Sequence, residues 1–229
     1  MMPVIRSERI RHILRIVLPF AVMPAVVLLM PLEIQAQYYA PVSFFMVLLA
    51  LLLFLAGFER REIGTRRMIL VSVMTALSVI GRLLPLFKPI TALTILSAMY
   101  LGAESGFLVG AMSAVLSNFM MGQGPWTPFQ MLAWGLIGLF AGIFAKPLQR
   151  FPLLLYVYGI VSGAAFSLIL DIWTTLWTYK DFTWDAYAAA ISAALPMTCL
   201  YAVSNLLFLL ILRKPISDKL MRIRKKYGL

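Results

Sequence analysis

The chain has 229 residues, a mean hydropathy of +0.92 and only 13% charged residues. Its apolar share of 62% excludes an ordinary soluble domain, where that share is nearer half, and indicates an all-α integral membrane protein with several crossings. The lone cysteine, Cys199, excludes a disulfide framework and a paired-cysteine metal site and, inside an apolar run, is expected to be a packing residue; the net charge of +11 is explained without nucleic acid by topology and lipid contacts.

In chain order, residues 1–15 form a basic arm carrying Arg6, Arg9, Arg11 and Arg15. Pro19 and Pro24 interrupt the apolar run that follows, and no small-residue cleavage site comes after it, so the run is expected to be a retained segment. Eight apolar segments lie near 16–32, 41–57, 68–84, 89–101, 106–121, 128–145, 152–178 and 187–212. The first two, within 16–57, precede a six-segment unit over 68–213, and a basic tail covers 214–229. Segment 89–101 reaches only about 20 Å at about 1.5 Å per residue, short of a hydrocarbon core of about 30 Å. Such a helix is expected to border a cavity or a partner, because incomplete backbone pairing is tolerated only away from lipid.

Orientation follows from Lys and Arg. With eight crossings, 17 of the 20 fall on one side: the N-terminal arm, Arg60, Arg61, Arg66, Arg67, Lys146, Arg150 and the seven from Arg213 to Lys226. Arg82, Lys88 and Lys180 fall on the other. The positive-inside rule then places both termini in the cytoplasm.

Small residues recur every four positions: Ser72 and Ala76, then Gly106, Gly110 and Ala114, then Gly138 and Gly142. This spacing lets helices approach closely. Most of these positions are expected to pack within the chain, and one face is available to a partner subunit.

The stretch Gly122-Gln123-Gly124-Pro125-Trp126-Thr127-Pro128-Phe129-Gln130 breaks two apolar runs with polar and rigid residues. Gly124 and Thr127 each precede a proline, which disfavours the α region there. Thr127 reads as an N-cap and Pro128 as the first residue of a helix running to about Ala145. On the same side lie the connection from Arg82 to Lys88 and one edged by Trp177, Tyr179 and Trp184. Taken singly, these aromatics fit an interfacial belt.

Polar groups at membrane depth are costly and so informative. Asp171 lies about 10 Å deep and is followed by Trp173, Thr174 and Thr175; Asn118 and Gln130 lie at similar depth. Together they are expected to form one outward-facing pocket, or else to bond neighbouring helices. Nothing suggests an enzyme. His12 lies in the basic arm, Asp171 is the single acid expected at membrane depth, and the Gly-x4-Gly-Lys-Ser/Thr phosphate loop is absent.

The run from Met68 to about Arg213 resembles the substrate-binding S component of an energy-coupling factor (ECF) vitamin transporter. The likeness rests on a first core helix containing Val73-Met74-Thr75-Ala76-Leu77-Ser78, a short second helix, the turn Tyr100-Leu101-Gly102-Ala103-Glu104-Ser105-Gly106-Phe107-Leu108-Val109-Gly110, and the segment Gly122–Gly138. That segment is similar to S components associated with cobalamin uptake. Residues 16–57 lie outside the usual six-helix core.

The resemblance implies a binding subunit of the prokaryotic plasma membrane. A vitamin would be captured under the loops Gly81–Lys88 and Gly122–Thr127, by Arg82, Lys88, Asn118, Gln123, Trp126, Thr127, Gln130, Asp171, Thr174 and Trp177. It also implies docking through Ser72 and Ala76 on a transmembrane coupling subunit, toppling to release substrate inside, and two ATPase subunits as the motor. No permanent cofactor or metal is expected, and cobalamin or a precursor is the expected cargo. The same polar groups would suit a smaller vitamin, and a self-contained secondary transporter using Asp171 as a proton relay is the other alternative.

Overall fold

The computed structural model describes residues 5, 7–29, 38–57 and 65–227. Arg6, Arg60 and Arg61, three of the charges used for orientation, lie outside the described residues. A helix occupies each of the eight apolar segments, and no strand occurs among the described residues. The elements are α1 (Glu8–Val17), a π-turn (Leu18–Val22), α2 (Met23–Leu29), α3 (Tyr39–Ala56), α4 (Thr65–Arg82), α5 (Ile90–Leu101), α6 (Ala103–Met121), α7 (Trp126–Ile143), α8 (Ala145–Arg150), α9 (Pro152–Tyr179) and α10 (Trp184–Tyr227). Among the described residues, four stretches are long and apolar enough to cross a membrane: Glu8–Leu29, Trp126–Ile143, Pro152–Tyr179 and Trp184–Ile223.

The first segment is one continuous helical run whose proline sets its shape. Pro19 cannot donate to the ladder, and the turn around it widens so that the Met23 N–H reaches Leu18 O. The run starts at residue 8, because Ser7 caps it by accepting from the Ile10 N–H at 3.4 Å. Leu18, Met23 and Val27, with Met46, Leu53 and Phe54 of α3, are buried in the same apolar core as the rest of the bundle. Arg15 adds an ion pair to Glu104 of α6, which is 5% exposed.

The central element is α5. Eleven of its twelve residues are buried, and α4, α6, α7, α9 and α10 all contact it. At about 1.5 Å per residue it spans about 18 Å, and cavities adjoin both of its ends. The expectation that so short a helix borders a cavity is met twice.

The small residues sort into two groups. Gly106, Gly110, Gly138 and Gly142 pack α6 onto α7: a Cβ at Gly138 would lie 2.4 Å from Gly106 O, and one at Gly142 would lie 2.3 Å from the Ala103 Cα. Ser72 and Ala76, by contrast, lie on an exposed α4 face with Ile69, Val73 and Ile80, while Val71, Met74, Thr75 and Ser78 turn inward. None of the described residues in 8–56 covers that face.

Two readings of the sequence need correction. The helix expected to start at Pro128 starts at Trp126, with Pro125 as its N-cap at φ −64°, ψ −16°. The ring of Pro125 already fixes the helical φ, and the Thr127 hydroxyl bonds side chains instead of capping. Cys199 lies on the exposed side of α10 and so does not pack in the core. Residues 214–227 of the basic tail continue α10, which runs unbroken through Pro215 to Tyr227.

Candidate functional site

The connections 83–89, 122–125 and 180–183 share one end of the bundle, where a cavity with a free volume of about 90 Å³ opens. Arg82 controls its polar side. It is the last residue of α4, which carries its guanidinium inward to α6 and α7. There Nη1 donates to Asn118 Oδ1 at 2.7 Å and to Ser117 Oγ, and Nη2 donates to Gln130 Oε1 at 3.3 Å. The same guanidinium lies 5.1 Å from the Trp134 ring centroid. No carboxylate stands within ion-pair distance of Arg82 among the described residues, so the site carries uncompensated positive charge. Three of its acceptors are amide or hydroxyl groups, which meet only part of a five-donor fork.

The opposite wall is aromatic. Trp134 of α7 stacks on Phe166 of α9 at 4.4 Å between centroids and 24° between planes. Tyr201 of α10 closes the row edge-on to Phe166 at 5.2 Å. Trp134 is fixed by a hydrogen bond from its Nε1 to Thr91 Oγ1 of α5 at 3.1 Å. Aromatic rings, the Arg82 cation and the Gln130 amide thus line one cavity, a set of groups suited to a planar heteroaromatic ligand with carbonyl acceptors.

The 83–89 connection roofs this space. Leu86 lines it with φ +62°, in the left-handed region. The Lys88 N–H donates to Ser204 Oγ at 2.8 Å, and that hydroxyl donates to Lys88 O at 3.0 Å. One residue of α10 therefore holds the roof in both directions. Burial first, then the charge of Arg82, lowers the Lys88 ammonium from its ordinary pKa.

Of the ten expected ligand-binding residues, Arg82, Lys88 and Gln130 line the cavity. Asn118, Gln123 and Thr127 stand behind it as a network. Asn118 Nδ2 donates to Thr127 Oγ1 at 2.8 Å and to Gln130 Oε1 at 2.9 Å, and Thr127 Oγ1 donates to Gln123 Oε1 at 2.9 Å. Their bonds are spent on one another and on nearby groups: Asn118 accepts from Arg82, Gln123 Nε2 donates to Val115 O, and Thr127 Oγ1 accepts from the Gly124 N–H.

Trp126 and Trp177 belong to a separate aromatic ladder. Trp126 meets Trp173 edge-on at 5.6 Å, Trp173 stacks on Trp177 at 6.1 Å, and Lys180 lies over Trp177 at 4.7 Å. Thr174 bonds back to Leu170 O within α9. Asp171 is 5% exposed, its Oδ2 has no hydrogen-bond partner, and it is not among the cavity's lining residues. The sequence reading missed Trp134, Phe166, Tyr201, Ser204 and Asn205. Each sits mid-helix in an apolar run, where an aromatic or a Ser reads as packing.

The match to a family description agrees with this geometry. The model described as "ECF-type riboflavin transporter, S component" matches residues 62–216, 155 of the 229, and that region contains every residue of the cavity. No curated protein and no solved structure matches the chain significantly. With more than half of its length inside the match and a bundle of apolar helices around the site, this multi-pass membrane protein belongs to the family of S components of ECF-type transporters.

Proposed function

We propose that the chain is the substrate-binding subunit of an ATP-driven vitamin importer of a prokaryotic plasma membrane, and that its cargo is riboflavin or a close flavin relative. The observation that carries the substrate reading is the Trp134–Phe166–Tyr201 wall that lines one cavity with Arg82 and Gln130 inside the matched region. An isoalloxazine presents a flat tricycle for the wall and ring carbonyls for the guanidinium and amide donors. The family description points the same way.

Cobalamin, the cargo suggested by the Gly122–Gly138 segment, draws no such support. Of that segment, Gln130 and Trp134 line the cavity, while Gln123, Trp126 and Thr127 are engaged with one another, with Asn118 or with Trp173. The free volume of about 90 Å³ is below the roughly 300–1,000 Å³ of sites that enclose a drug-sized ligand. Any cargo must therefore displace the 83–89 roof, and a corrin would need far more displacement than a flavin.

In this reading the roofed end faces outside and the basic end, with both termini, faces the cytoplasm. The subunit binds without transforming its cargo. The exposed Ser72–Ala76 face of α4 docks on a transmembrane coupling subunit, where close approach of small residues holds helices together. Two ATPase subunits drive release. The test is co-purification from the native host under mild detergent, which should bring down coupling and ATPase subunits. Riboflavin uptake by proteoliposomes holding this chain alone would instead make it a secondary carrier.

A further inference from the structure

The outer half of α9 carries aromatic side chains that the cavity does not use. Phe166, Trp173 and Trp177 stand at i, i+7 and i+11, so they share one face of the helix. Phe166 stacks on Trp134 of α7 in the cavity, and Trp173 meets Trp126 of α7 edge-on at 5.6 Å. Seven residues at about 1.5 Å each put that second pair about 10 Å further out. Trp177 continues the row, near-parallel to Trp173 at 25° and 6.1 Å between centroids, and is 38% exposed. Gln130, a cavity residue, lies one turn from Trp126 in α7. The aromatic wall of the cavity therefore extends along the α7–α9 seam to the surface.

Two details distinguish this row from packing alone. Trp173 Nε1 is buried and has no hydrogen-bond partner among the described residues, and a buried donor left unbonded is costly. Lys180 ends α9 in the left-handed conformation at φ +61°, ψ 2°, which a residue other than glycine adopts at a cost. Its ammonium lies 4.7 Å from the Trp177 ring centroid, while the adjoining Asp181 accepts from the Phe182 N–H at 2.7 Å. The row thus offers π faces, an N–H donor and a cation, the same kinds of group that line the cavity.

We infer that Trp173, Trp177 and Lys180 form an outer encounter site, where the planar heteroaromatic cargo stacks on Trp177 before the 83–89 roof opens. The exposed Lys180 has a flexible stem and swings from the ring to a carbonyl of the cargo, exchanging a cation–π contact for a charged hydrogen bond. As the ring moves inward, the unbonded Trp173 N–H gains an acceptor. The inference rests on the flavin reading of the cavity, because the ligand is the same cargo. The outer site is occupied on the way in and on the way out, so it shapes the rates and leaves the final affinity to the cavity.

The test mixes riboflavin with the detergent-purified full chain by stopped flow and follows flavin fluorescence over a concentration series, with equilibrium Kd and thermal unfolding measured in parallel. Binding in two steps predicts an observed rate that saturates with riboflavin in the wild type. Trp177→Ala should raise the half-saturating concentration at least about five-fold, the lower end of the effect of one aromatic–base stack. Trp177→Phe, which keeps a ring, should hold it within about two-fold, and Lys180→Ala should raise it by less than Trp177→Ala. Trp184→Ala, which removes a 76% exposed indole outside the row, should leave it unchanged. Kd and the unfolding temperature should stay at their wild-type values in every variant, because Trp177, Lys180 and Trp184 are exposed and do not line the cavity. A wild-type rate linear up to the solubility limit of riboflavin, a half-saturating concentration unmoved by Trp177→Ala, or an equal shift from Trp184→Ala overturns the outer site and leaves the indoles an interfacial belt. A wild-type chain that binds no riboflavin at equilibrium overturns the flavin reading, and the encounter site falls with it.

Discussion

Replacing Arg82 with Met removes the guanidinium while keeping an unbranched apolar stem in its channel. In the folded protein it strips donors from Asn118 Oδ1, Ser117 Oγ and Gln130 Oε1. An unsatisfied buried acceptor costs about 1–3 kcal/mol, but the substitution also removes a buried cation that lacks a carboxylate partner. The two effects oppose each other, so thermal stability should change little. Binding has no such offset. A hydrogen bond from a charged donor to a ligand carbonyl contributes about 1.5–3 kcal/mol, so Kd should rise about 10- to 150-fold. Arg82→Lys keeps the charge without the planar fork and should fall in between. The assay is titration of riboflavin into the detergent-purified chain, followed by flavin fluorescence, with thermal unfolding measured in parallel. A Kd within about two-fold of wild type alongside a large loss of stability would refute the reasoning and leave Arg82 a purely structural residue.

Trp134→Ala removes the stacking wall and should weaken riboflavin by about 1–3 kcal/mol, the range found for aromatic–base stacking, and flavin quenching should diminish with it. Ser204→Ala deletes both hydrogen bonds that hold the Lys88 backbone, worth about 1–3 kcal/mol together. Stopped-flow association should therefore accelerate at least about five-fold, and an unchanged association rate would count against the roof as the barrier to entry. Trp126→Ala breaks the contact with Trp173 and should lower unfolding stability by up to about 3 kcal/mol, with riboflavin affinity within about two-fold of wild type; the opposite pattern would return Trp126 to the binding surface.

The helical layout was legible because apolar periodicity and length report burial directly. The eight apolar segments all became helices, and the shortness of 89–101 marked the buried α5 between two cavities. The polar residues were harder to assign. Arg82, Lys88 and Gln130 carried a readable signal, being costly groups near helix ends on the same side. Asn118, Gln123 and Thr127 carried the same signal and turned out to bond one another, because hydrogen-bonding capacity alone does not say whether a partner is a ligand or a neighbour. The aromatic wall could not be read at all. Trp134 and Phe166 become a platform only because α7 packs against α9, and Trp134 itself is placed by the approach of α6 to α7 at Gly106 and Gly138 and by the Thr91 bond, contacts remote in sequence. Proline was misleading in one place, where Pro128 suggested a helix start that Pro125 provides.

The most direct measurement of the central claim is equilibrium binding of a vitamin panel containing riboflavin, cobalamin and cobinamide to the purified chain. The account predicts that riboflavin binds one to one, with its fluorescence quenched by the Trp134 wall, while the corrins do not bind. Tight binding of cobalamin or another vitamin with no riboflavin binding would contradict the flavin assignment.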